Sequence, residues 1–355
     1  MLLIYGANGY TGLLIVDECV RRGIRPVVAG RRDETLIPIA AEHALERRAF
    51  PLDDPGAIAA GLSGVTTVIH AAGPFADTSA PMVEGCLDAG VHYLDITGEL
   101  EVFENCRERN DDAKRAGIVL LPGVGFDVVP TDCLAARLAE RLPGATLLEL
   151  AFAGGGGASR GTRKTMQRSQ HQGGAVRRNG VIERVPVAWK QKLIPFRDRP
   201  RHSVTIPWGD VSTAYWSTGI PDIHVYLAVP AKREEAPAEP RTAEAPARAQ
   251  RAWDDPDLDA RLAGPSAEVR ASSRMQIWGR VSHADGRSLE GTAVTPEGYV
   301  LTALASVECA ARVMQDPPTA GYHTPSTAFG SGFLEELPGC EITLGEIVHG
   351  EAERR

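Results

Sequence analysis

Cysteine pairs, long apolar runs, aromatics and excess positive charge are all in short supply in this chain. Its six cysteines, Cys19, Cys86, Cys106, Cys133, Cys309 and Cys340, are scattered with no CxxC pair. That spacing argues against a disulfide framework or a zinc site and for reduced thiols in a cytoplasm. No apolar run approaches the ~20 residues of a membrane span. The first apolar strand leads directly into a glycine turn, so no signal peptide is expected. A formal net charge of −8 argues against a general nucleic-acid or membrane-surface binder. What remains is an ordinary soluble composition, 43% hydrophobic and 24% charged, over 355 residues. That is enough for two domains, or for one domain carrying a large insertion.

The glycines, by contrast, are placed with purpose. Leu2 to Tyr5 read as a buried strand. Gly6-Ala7-Asn8-Gly9-Tyr10-Thr11-Gly12 follow as a GxxGxxG turn, and an apolar periodic stretch opens behind them. Strand, glycine turn and helix form the unit that holds a dinucleotide pyrophosphate. The glycines let the backbone approach the phosphates, and the helix N-terminus offers unpaired N–H groups. The second strand, residues 26–30, ends in Arg31 and Arg32. A site for NAD usually has a carboxylate there, whereas guanidinium groups fit a 2′-phosphate. The expected cofactor is therefore NADP(H), with Asp33 as a competing ribose ligand one residue late.

Strand and helix keep alternating to residue ~125, which implies a doubly wound parallel α/β sheet. A short third strand over 48–52 ends at Asp53, a candidate adenine-side contact. A fourth over 67–70 runs into Ala71-Ala72-Gly73-Pro74-Phe75, a small-residue loop with room for ribose and nicotinamide. A helix over 81–89 starts at Pro81, where its missing N–H costs nothing. The fifth strand ends in Asp95-Ile96-Thr97-Gly98-Glu99, one helix covers 101–116, and the sixth strand leads into Phe126-Asp127.

These motifs together resemble a known family. GANGYTG, AAGPF, HYLDITGE and PGVGFDVVPTD, in this order, look like the saccharopine dehydrogenase-like oxidoreductases, a group that includes bacterial trans-acting enoyl reductases. SRGT at 159–162, GGAVRRNG at 173–180, PWGDVSTAYWSTGIPDIHVY at 207–226, PEGYVLTA at 296–303 and GYHTPSTAFG at 321–330 extend the resemblance along the chain. It implies a Rossmann domain over residues 1–130, an inserted mixed α/β substrate and dimerisation domain over 131–300, and a return to the Rossmann domain over 301–355. It also implies a homodimer. The residues agree: strand-like runs over 147–152, 203–206, 222–229, 275–281 and 288–294 lack regular crossover helices, Asp285-Gly286 is a hairpin signal, and a helix covers 302–315. Residues 231–271, rich in Ala, Pro, Glu and Arg, depart from the family pattern. They read as a surface linker with a short helix at 257–262, or as a lid.

A nicotinamide enzyme draws its chemistry from the cofactor, and the protein adds orientation and a proton. No Tyr-x-x-x-Lys pair stands in a suitable helix, and no Cys/His cluster has ligand spacing. The catalytic candidates are the sheet-edge carboxylates Asp95, Glu99 and Asp127. Asp95 and Asp127 can equally serve as loop ties. His70 is a second proton-donor candidate or a structural histidine. Phe75 and Phe126 are expected to wall the nicotinamide end. In the insert, Arg160, Arg163 and Lys164 can receive a substrate anion, His171 and Gln172 can line the pocket, and Trp208, Tyr215 and Trp216 can wall it, form core or make a dimer face.

The chain thus reads as a cytoplasmic NADP(H)-dependent oxidoreductase acting on a C=N or C=C bond of a small metabolite. The alternative is a non-catalytic NADP-binding sensor or scaffold. Fluorescence titration with NADPH and NADH is expected to show tight NADPH binding that collapses in an Arg31→Ala, Arg32→Ala variant. Binding of neither nucleotide contradicts the reading.

Overall fold

The structure, a computed structural model, describes residues 1–154, 157, 159, 161–163, 173–229 and 264–349. Strand β1 (Leu2–Tyr5) is buried on both faces. Leu2 and Ile4 point into one core and Leu3 and Tyr5 into another. Apolar residues on both faces are what a parallel sheet covered by helices requires. The strands that follow are β2 (Val27–Gly30), β3 (Arg47–Ala49), β4 (Thr67–His70), β5 (His92–Asp95) and β6 (Val119–Leu121). The helices between them are α1 (Tyr10–Arg21), α2 (Ile37–His43), α3 (Pro55–Gly61), α4 (Phe75–Ala89), α5 (Leu100–Glu108) and α6 (Asn110–Ala116). Order across the sheet is β6-β5-β4-β1-β2-β3, all parallel. The doubly wound fold is as the sequence implies.

Helix α7 (Val129–Arg141) leaves that sheet and packs on a second one. Its strands are β7 (Leu147–Ala153), β8 (Gly174–Arg178), β9 (Val181–Val185), β10 (Gln191–Pro195), β11 (Pro200–Thr205), β12 (Asp222–Ala228), β13 (Arg274–Ser282) and β14 (Arg287–Pro296). Helix α8 (Asp210–Thr218) lies between β11 and β12, and the short α9 (Ala267–Ser272) precedes β13. Among the described residues every pairing here is antiparallel except β7 with β12. Helix α10 (Gly298–Gln315) then packs along α1, and β15 (Gly321–Tyr322) adds a seventh strand beside β6. After α11 (Pro325–Phe329) and α12 (Phe333–Glu336), β16 (Glu341–Leu344) and β17 (Val348–His349) pair with β14. One apolar core runs from Ile4 and Ile15 through Leu301 of α10 and Leu134 of α7 to Leu150 and Ile277 of the second sheet. The two lobes are therefore joined by core as well as by chain.

Several expected elements differ. The tail from 301 does not return wholly to the first sheet, because β16 and β17 extend the second. Helix α4 starts at Phe75, with Pro81 inside it, because the Glu99 carboxylate accepts from Phe75 N and Ala76 N, both at 2.9 Å, and so caps the helix earlier. The helix expected over 101–116 is two, broken at Arg109, whose guanidinium binds Glu84 and Asp112. Strand β3 stops before Pro51, which has no N–H to give a ladder. Helix α10 starts four residues early, at Gly298, under the Glu297 side-chain cap. The predicted helix at 257–262 lies outside the described residues.

The glycine turn leaves the least room for a side chain among the described glycines. A Cβ on Gly12 would stand 2.2 Å from the Gly6 carbonyl oxygen. Gly12→Ala is expected to destabilise the protein by about 1–3 kcal/mol in urea unfolding, despite the ~1 kcal/mol that Ala gains over Gly in a helix. A more stable variant contradicts this packing.

Candidate nucleotide site and crevice

The turn after β1 is built from backbone. Gly6 has φ +85°, and a Cβ there would meet Ala71 and Ala72 at 2.8 Å. The β4 loop thus lies directly against the turn. Gly9 caps α1 with no side-chain hydrogen bond. The first N–H groups of the helix are left facing outward, an arrangement suited to an anion. This cradle, which any side chain would fill, fits a dinucleotide. Asn8 lies over the end of β2, with Oδ1 3.4 Å from where a Gly30 Cβ would be. Arg31 and Arg32 are exposed there, and Arg31 makes no ion pair among the described residues. Asp33 pairs with Arg47 Nε at 2.9 Å on the surface. Asp53 is exposed at the end of the β3 segment.

Two of the expected contact residues also have partners within the protein. The Tyr10 hydroxyl donates to Pro265 O at 2.6 Å, and its ring meets Tyr299 edge-on at 4.9 Å. The Phe75 ring is buried against His70, 5.6 Å away. Ala71, Ala72, Gly73 and Pro74 form the crevice-side loop, which Thr78 Oγ1 ties by donating to Ala72 O at 2.7 Å.

The carboxylates divide by environment. Asp95 is fully buried and spent as a tie. Its Oδ1 accepts from Thr97 N at 3.0 Å and Gly123 N at 2.9 Å, and its Oδ2 accepts from Tyr93 Oη at 2.8 Å. Burial raises it to about 6 against these bonds. Glu99 is the α4 cap. His70 is a buried ring facing Thr78 at 3.0 Å, held neutral by burial at a pKa of about 3. Its burial and its bond to Thr78 match the structural reading. Asp127 is half-buried. It sits against Gly98, where a Cβ would be 2.8 Å from Asp127 Oδ2. Burial pushes its carboxyl to about 7. It precedes Val128, a β-branched residue held at φ +130°. Strain of that kind concentrates at working sites.

Sequence reasoning passed over two carboxyls behind Asp127. Asp132, in the first turn of α7, accepts from Ser326 N at 2.7 Å. Asp210 opens α8 and is pushed to about 8 by burial, with Asp132 and Asp127 adding to the rise. A carboxylate at an otherwise apolar helix start was the available signal for both.

Phe126 and Trp208 come together through Phe152, which the sequence did not single out. Phe126 meets Phe152 at 5.7 Å and Phe152 meets Trp208 at 4.8 Å. Arg160, Lys164, His171 and Gln172 lie outside the described residues. Tyr215 and Trp216 are half-buried to exposed, stacked by Arg177 and Arg107. No group of His, Cys, Asp and Glu that can hold a metal occurs among the described residues, and no helix among them is long and apolar enough to cross a membrane.

Glycine cradle, arginine pair and small-residue loop occupy one region of sequence, and that region has relatives. Residues 2–121 match the saccharopine dehydrogenase NADP binding domain. The chain carries an NADP-binding domain of the saccharopine dehydrogenase type. Over 156 residues it is 27% identical to a saccharopine dehydrogenase-like oxidoreductase of Bos taurus, covering 37% of this chain and 35% of that one. Over 149 residues it is 28% identical to a trans-acting enoyl reductase of Mycobacterium leprae, covering 40% and 36%. The matched part thus spans about a third of those relatives' length. Beyond the NADP-binding domain the likeness is one of fold. The apo saccharopine dehydrogenase (L-Glu forming) of Saccharomyces cerevisiae superimposes with a TM-score of 0.65 at 10% identity, over 97% of this chain and 99% of that one.

The raised Asp127 carboxyl fixes the sign of a stability effect. The folded state prefers the protonated acid, so stability is greatest below the unfolded pKa near 4 and falls as pH rises through about 7. Asp127→Asn removes this loss. Urea midpoints are expected to show the variant gaining on wild type between pH 5 and pH 8. A constant difference contradicts the buried acid.

Proposed function

We propose that this protein is an NADP(H)-dependent reductase in which Asp127 donates the proton to a small unsaturated metabolite. One observation carries the reading. Asp127 stands at the carboxyl end of β6, against Gly98 of the neighbouring strand's loop, with an acid strength near neutrality. The crevice outside the carboxyl ends of the strands is where such sheets hold their ligands. A donor works best when its pKa lies near the working pH.

NADPH, when bound, supplies the hydride. The chain's residues do the rest. The turn at Gly6 to Gly12 and the Arg31-Arg32 pair hold the two phosphate-bearing ends, and the Ala71 to Pro74 loop leaves room for the ribose. The protonated Asp127 carboxyl gives up its proton to the substrate carbon or nitrogen that gains electron density. The Phe126, Phe152 and Trp208 rings exclude water from one side.

Of the two bonds considered, a polarised C=C has the better support. An imine site for a zwitterion needs several free charges, and among the described residues Asp95 and Glu99 are already hydrogen-bonded as ties. An enoyl site needs an apolar wall and one acid, which is what Phe126, Phe152, Trp208 and Asp127 supply.

The test is NADPH oxidation across a panel of α,β-unsaturated carbonyl compounds and imines. Turnover of the unsaturated carbonyls is expected, with kcat falling as pH rises through about 7. Asp127→Asn is expected to lower kcat by roughly 100-fold or more and to change NADPH affinity far less, since the phosphate-bearing ends of the nucleotide are held elsewhere. Wild-type kcat in the variant contradicts the assignment of Asp127. Turnover of imines alone contradicts the C=C reading.

A further inference from the structure

The phosphate cradle lacks a charge of its own. Helix α1 has no cation in its first turn, and Arg31 and Arg32 stand at the end of β2, on the 2′-phosphate side. A pyrophosphate carries about two negative charges, and a helix N-terminus supplies only about half a positive one. A cation from elsewhere in the fold would add to that attraction.

The residue delivered to this point is Arg270, from α9 on the approach to the second sheet. Its Nη1 donates to the Tyr10 hydroxyl at 2.8 Å and to Pro265 O at 2.7 Å. Its guanidinium carbon lies 5.7 Å from the centre of the Tyr10 ring. Tyr10 is the first residue of α1, so the charge is held one side chain away from the helix end that faces the phosphates. Among the described residues Nε and Nη2 of Arg270 make no hydrogen bond, and Arg270 forms no ion pair within 4 Å. Glu297 feels the Arg270 charge, but its Oε2 already accepts from Tyr299 N at 2.9 Å and Val300 N at 3.3 Å. The surroundings are built to keep the guanidinium in place. A Cβ on Gly264 would be 2.6 Å from the Tyr10 ring, so only glycine lets that segment pass, and Tyr299 closes the other side of the ring.

We infer that Arg270 is the pyrophosphate-side cation of the NADP site, contributed by the second lobe and aimed by the Tyr10 hydroxyl. Nη1 orients the group while Nε and Nη2, which no described residue engages, would meet phosphate oxygens, a charge-assisted contact of the stronger kind. The inference rests on the NADP site and is independent of the reaction. It gives the second lobe a share in cofactor affinity.

The test is a titration of the full chain with NADPH and with adenosine 2′-monophosphate, which has the 2′-phosphate and no pyrophosphate. Arg270→Gln is expected to weaken NADPH about tenfold, within the range of a hydrogen bond to a charged group, and to leave adenosine 2′-monophosphate within about twofold. Arg270→Lys keeps the charge and is expected to recover most of the loss. Unchanged NADPH affinity in Arg270→Gln overturns the inference. So does an equal loss for both ligands, which would make Arg270 a prop for the turn, and so does a lysine variant as weak as the glutamine one. Failure of the wild-type chain to bind either ligand overturns the nucleotide site and this role with it.

Discussion

At Gly12 there is no room for a methyl group, and most of the architecture follows from that contact. Helix α1 is pressed so close to the turn after β1 that the Gly6 carbonyl occupies the space where a side chain would begin. Gly6 in turn admits the β4 loop to within van der Waals distance. Three backbone segments therefore meet with no side chains between them. The helix N-terminus is left facing the carboxyl edge of the sheet, where its N–H groups and dipole favour an anion. Everything else lines that edge in strand order: the arginine pair after β2, the small-residue loop after β4, Gly98 after β5 and Asp127 after β6.

The second lobe completes this edge instead of standing apart from it. Phe152 of β7 bridges Phe126 and Trp208, and the Tyr10–Tyr299 pair joins α1 to the start of α10. The shared core through α7 and α10 makes the crevice a fixed feature of the fold. Within it the buried carboxyls are sorted by their partners. Asp95 is a tie because three donors surround it. Asp127 is a candidate acid because it faces glycine backbone and its own charge is disfavoured by burial.

The part of the fold that repeats was legible in the sequence. Short strands buried on both faces and glycines at fixed offsets left little choice of topology, and the motif residues from Gly6 to Gly12 land where their spacing puts them. Failures came where a distant partner decided the outcome. The start of α4 depends on Glu99, 24 residues further on, and the break at Arg109 depends on Glu84. The side chain of Tyr10 was read as part of the turn, yet it belongs to a contact with residues 265–299. Asp210 is more than 80 residues from Asp127, and no local pattern links them. Phe152 looked like any apolar strand residue until β7 brought it between Phe126 and Trp208.

A crystal structure of the chain with NADP⁺ tests the central claim most directly. The account predicts the pyrophosphate over the Gly6 to Gly12 turn, the 2′-phosphate on Arg31 and Arg32, and the nicotinamide ring in the space bounded by Gly98, Phe126 and Asp127. A nicotinamide that points away from Asp127, or a 2′-phosphate that leaves Arg31 and Arg32 untouched, would contradict it.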